Sequence, residues 1–145
     1  METRENYLKL AYEHDGDPND SFGRLSVEVF ADGFSGCGGM WVQWQDLVEL
    51  SERLSAFPLP ADNPIDEDWG YGEIENYRPI VRLAFFPVGN TGPVKVLVQL
   101  ANDDDPDIAL KCKFRAGYPS IERFRRELKI LAESKSGLAL LSDQL

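Results

Sequence analysis

One histidine (His14), two cysteines (Cys37 and Cys112) and two methionines in 145 residues leave little material for the commonest catalytic devices. Nucleophilic triads and zincin motifs need a placed imidazole, and His14 stands alone in a polar acidic loop. Two cysteines are too few for a disulfide framework, and neither belongs to a C-x-x-C pair, so zinc and thioredoxin-like chemistry lack their ligands. Cys112 shares the inward parity of Leu110 and Phe114 and reads as a small core residue. Long apolar runs are also missing: the stretch from Pro79 to Val88 is broken by Arg82 and falls well short of the ~20 residues of a spanning helix. The start Met-Glu-Thr-Arg-Glu-Asn has no basic segment followed by an apolar one, so neither a leader nor a membrane span is expected, and reduced thiols in a cytoplasmic protein are the simplest reading.

Positive charge is in short supply. Fifteen Lys and Arg stand against twenty-five Asp and Glu, a formal charge of −10, which argues against a general binder of duplex nucleic acid or anionic membrane. Yet residues 111–135 hold eight cations and three acids, so the chain is strongly polarised along its length.

What is present reads as a single α+β domain over residues 1–145. Alternating apolar residues mark strands at Tyr7 to Tyr12, at Leu25, Val27 and Val29, and at Met40 and Val42, with Trp41 pointing outward. The glycines at 33, 36, 38 and 39 suit a bulged or tight connection into the third strand, and match neither a dinucleotide fingerprint nor a phosphate loop. Leu47, Leu50, Leu54 and Phe57 then form a helical stripe ended by Pro58 and Pro60. Residues 60–75, rich in Pro, Gly and acids, read as an acidic linker. After it Val81, Leu83 and Phe85, then Val94 to Leu100, then Ile108 to Ala116 alternate, with turns at Asn90 to Pro93 and Asn102 to Asp107. Ile121, Phe124, Leu128 and Leu131 give a second helix, with Gly137 as its stop. The two helical stripes are offset by a constant 74 residues, which predicts an internal repeat, 1–59 and 76–135, in βββα-βββα order. The expected fold is a two-layer sandwich: one mostly antiparallel sheet of about six strands with both helices on one face.

Candidate sites follow from charge and parity. The loop Asp15, Asp17, Asn19 lacks the turn Gly and the bidentate Glu of a calcium loop, so no metal or cofactor is expected. Strand parity sends Lys95, Lys111, Lys113 and Arg115 to the uncovered sheet face together with the aromatics Phe30 and Trp41, a composition suited to docking. Asp66, Glu67 and Asp68 form a second candidate surface, suited to steering a basic partner.

The succession YLKL, RLSVEVFA, GMWVQWQDLVELSERL, a polar gap, a further hairpin and a terminal ERFRREL helix resembles small uncharacterised bacterial proteins and, more loosely, the WapI-like immunity proteins of polymorphic toxin systems. The resemblance implies a cytoplasmic protein without enzymatic activity that binds a toxin domain tightly. The reading is therefore a non-catalytic protein-binding module. Its alternatives are a polyanion or peptide binder using the basic aromatic face, and a carboxylate-based enzyme working between the sheet and the acidic linker. The absence of an RNP-like motif tells against nucleic acid.

Overall fold

The computed structural model describes residues 5–89 and 92–143. Within them lie eight strands and two α-helices: β1 (Tyr7–His14), β2 (Phe22–Ala31), β3 (Phe34–Gln43), α1 (Trp44–Arg53), β4 (Ile65–Tyr71), β5 (Arg78–Pro87), β6 (Val94–Ala101), β7 (Ala109–Ala116), α2 (Tyr118–Ser134) and β8 (Ser136–Ser142). Two antiparallel four-stranded sheets replace the expected six-stranded one: β3-β2-β1-β8 and β4-β5-β6-β7.

The inward positions are those the alternation marks, except that Ile108 precedes β7 and is exposed. Leu8, Leu10, Tyr12, Leu25, Val27 and Val29 of the first sheet share one buried core with Leu83, Phe85, Val96 and Val98 of the second and with the helical stripes. All four residues of the α2 stripe are buried, and Phe124 places its ring 6.5 Å from that of Phe85. The α1 stripe is shorter than its spacing predicts. The helix ends at Arg53, and Phe57 is exposed, with its edge against the ring of Tyr118.

Three further expectations need correcting. Residues 60–75 are not a linker, because β4 lies within them, with Ile65 buried against the core and the acids Asp66 and Asp68 facing away from it. The helix stop is Lys135, at φ 63°, not Gly137, which belongs to β8. The β2–β3 connection is the tight turn Asp32-Gly33, both at positive φ as a two-residue hairpin of matching twist demands, and β3 then pairs with β2 without a bulge. Asn6 clamps this turn, accepting from the Asp32 backbone N–H and donating to its carboxylate. The first four residues, which carry the leader reading, and Asn90 and Thr91 of the predicted 90–93 turn lie outside the described residues.

The element order βββαβ occurs twice, and the last strand of each run joins the other run's sheet: β4 pairs with β5, and β8 pairs with β1. The registers agree. Leu10 faces Val27 on one side and Ala139 on the other, as Leu83 faces Val98 and Glu67. Each helix is tied to the strand that follows it. The Arg53 guanidinium reaches Glu67 of β4 at 2.6 Å, and the carboxylate of Glu127, 74 residues later, accepts the Leu140 N–H of β8 at 2.9 Å.

Candidate docking face

The residues expected on one basic aromatic face lie on two sheets. On the first, Tyr7 stacks on its cross-strand neighbour Phe30 with ring centroids 6.2 Å apart, so Phe30 is partly covered. Its neighbour Glu28 accepts the Tyr7 hydroxyl at 2.8 Å and sits 3.5 Å from Lys9, and these contacts hold the Glu28 carboxyl below the usual range. Trp41 is 45% exposed and stands opposite Arg24.

The cations gather on the outer face of the second sheet. Lys95 faces Arg115 across β6 and β7, Leu97 faces Lys113, and Gln99 faces Lys111. None of Lys95, Lys111, Lys113 and Arg115 forms an ion pair with a described residue. With strands about 4.8 Å apart and alternate residues roughly 7 Å apart, the four cations fall on one small patch, and Asp32 and Asp143 line a cleft with Lys95, Lys113 and Arg115 at its far end.

The acidic trio of β4 divides three ways. Asp66 receives the Arg82 guanidinium through two hydrogen bonds, at 3.0 and 2.8 Å, and this contact pulls its carboxyl below the ordinary value. Arg82 also donates to the Gln99 side chain at 2.6 Å. Glu67 turns inward; burial pushes its carboxyl up, despite the opposing pull of Arg53. Asp68 accepts the hydroxyl of Tyr77 at 2.9 Å, and burial together with this carboxylate pushes Tyr77 up to about 12. Asp66 and Glu67 are therefore paired with arginines, whereas Asp68, exposed and bonded to a neutral hydroxyl, keeps its charge at the surface.

The other polar candidates have local work. The His14 ring accepts the Gly16 N–H at Nδ1 and donates from Nε2 to the Asp20 carbonyl, fastening the β1–β2 loop. Asp15, Asp17 and Asp20 each accept a backbone N–H two residues on. Among the described residues, no three His, Cys, Asp or Glu side chains gather where they could hold a metal ion. Cys112 faces inward, where burial raises its thiol, while Cys37 is exposed.

Sequence reading missed a hollow of about 690 Å³ at one end of the cationic face. It lies over the start of β5, the end of β6 and the start of β7. Ala101 and Ala109, a facing pair, line it with Tyr77, Pro79 and Pro106, and so do the cations Arg78, Arg82 and Lys111 and the carboxylate of Asp68. The signal in the sequence was faint: one alanine shortly before the hairpin loop and one just after it.

Among the described residues no helix is long and apolar enough to cross a membrane. No family model matches the sequence, no curated protein matches it, and no solved structure matches the fold.

Proposed function

We propose that this protein is a non-catalytic protein-binding module that docks its partner on the outer face of the β4-β5-β6-β7 sheet. The observation that carries this reading is the row Lys111, Lys113 and Arg115 with Lys95 beside it, cations that form no ion pair with a described residue, on a chain of net charge −10. In an otherwise acidic molecule such a patch attracts an acidic partner and orients its approach. Binding is also favoured over carboxylate chemistry by the occupation of Asp66, Glu67 and Asp68 with structural partners. The test is co-purification with the wild-type chain and with K111E/K113E/R115E. A stoichiometric protein held by the first and released by the second supports the reading, and retention by both overturns it.

A second reading, the toxin-neutralising role implied by the resemblance to immunity proteins, rests on a different surface. The loop between β6 and β7 exposes Asp104, Asp105 and Asp107, none of them neutralised by a described cation. Its backbone is held by Asn102, whose side-chain oxygen accepts the N–H groups of Asp104 and Asp105. Such a loop would speed encounter with a basic toxin domain. Under this reading D104N/D105N/D107N, not the cation reversal, slows association; an unchanged association rate in that variant removes it.

A further inference from the structure

The hollow and the cationic row are continuous, because Lys111 belongs to both: it lines the 690 Å³ cavity and begins the series Lys111, Lys113, Arg115. The hollow is apolar where the two alanines and the two prolines line it. It receives cations from two sides, with Arg78 and Arg82 on β5 and Lys111 on β7. Arg78 and Arg82 already contact Asp103 and Asp66, whereas Lys111 has no ion-pair partner among the described residues. Beyond it the row runs along β7 for another four residues, roughly 13 Å of strand. A ligand that uses both features must therefore be long and extended, with an apolar group at one end and negative charges spaced about 7 Å apart. A small metabolite would fill the hollow and leave the row unused. β7 is also an edge strand of its sheet, paired among the described residues only with β6.

We propose that the face binds an extended acidic peptide segment, with an apolar side chain seated over Ala101 and Ala109 and alternate carboxylates against Lys111, Lys113 and Arg115. This deepens the docking-face reading above and rests on it. Alternate side chains of an extended peptide point the same way, so the acids face the cations while the residues between them face solvent.

The experiment uses two fluorescent peptides and fluorescence anisotropy: Leu-Thr-Glu-Thr-Glu-Thr-Glu, and the same peptide with Thr in place of Leu. The wild-type chain should bind the first at least about tenfold more tightly than the second, with both affinities falling as salt rises. A109L fills the hollow at an exposed strand position where Leu is tolerated, and should bring the first peptide down to the wild-type affinity for the second. K111E/K113E/R115E should abolish binding of both. Equal binding of the two peptides to the wild-type chain overturns the seated apolar group and leaves the docking face standing. Binding of both peptides by the charge-reversed variant at wild-type strength, or of neither peptide by the wild-type chain, overturns the docking face as well. Sedimentation of the unliganded chain provides a further check: self-association that disappears in K111E/K113E/R115E would assign the face to a second copy and overturn the peptide proposal.

Discussion

The Ser51 hydroxyl donates to the backbone carbonyl of Arg125 at 2.7 Å, joining two residues that stand 74 apart at matching positions of α1 and α2. The contact ties α1 to α2 where the two helices pack together. Ser51 is fully buried there. In S51A the net hydrogen-bond contribution, about 1 kcal/mol, is partly offset by the better helix propensity of alanine. A loss of about 0.5–1 kcal/mol in urea unfolding is expected, and a more stable S51A would show that the helices cross without this bond.

Gly36 and Leu110 are the second such pair, again 74 residues apart. A Cβ at position 36 would lie 2.7 Å from Leu110 Cδ2, so one run supplies a glycine where the other supplies the side chain that fills its space. In G36A the tip of Leu110 can swing aside, and the variant should be nearly neutral because alanine suits a strand better by ~0.5–1 kcal/mol. Gly39 differs: its Cβ would come within 2.2 Å of the Leu25 carbonyl, which is fixed in the β2–β3 ladder. G39A should cost about 1–3 kcal/mol. Denaturant midpoints compare the two, and equal values would refute the distinction between a yielding side chain and a fixed backbone.

The two missed strands show what periodicity hides. In β4 the inward series is Ile65, Glu67, Trp69, and the glutamate interrupts it; only the distant Arg53 makes that residue acceptable inside. In β8 the outward Leu138 and Leu140 are more apolar than the inward Ala139, so the alternation reads with the wrong sign. The partition into two sheets was equally unreadable, since pairing β8 with β1 joins segments at opposite ends of the chain, and no local pattern encodes that. Parity did survive. The cations of β7 do lie together and outward, but their separation from Phe30 and Trp41 depended on which strands share a sheet.

Asp66 and Glu67, adjacent in β4, should respond to acid in opposite directions. Asp66 titrates below its unfolded value because of Arg82, so its contribution is present above about pH 4 and is lost as the pH falls through its folded value. Burial puts Glu67 above its unfolded value, so the folded chain takes up that proton more readily and gains stability as the pH falls through the raised value. Relative to D66N, the wild type should lose its advantage in acid; relative to E67Q, it should gain. Thermal melts of the three proteins across the acid range would show the two trends, and parallel profiles for the two variants would contradict the assignment of one carboxylate outward and the other inward.

At the alkaline end the relevant group is Tyr12. Its hydroxyl donates to the Val42 carbonyl at 3.0 Å, bracing β3 from β1 across β2, and its ring belongs to the core. Burial, with the nearby carboxylates of Asp15, Asp46 and Asp20, raises the hydroxyl to about 12. The folded value exceeds the unfolded one, near 10, so the contribution is intact below pH 10 and is lost as the pH rises through the folded value. Y12F removes both the hydrogen bond and the titration. It should cost about 1 kcal/mol at neutral pH, with a deficit that narrows as the pH climbs from about 10 towards 12. Urea unfolding of both proteins at several alkaline pH values measures this. A deficit that stayed constant would mean that the Tyr12 hydroxyl ionises as readily in the folded chain as in the unfolded one, and that its bond to β3 does not hold the proton.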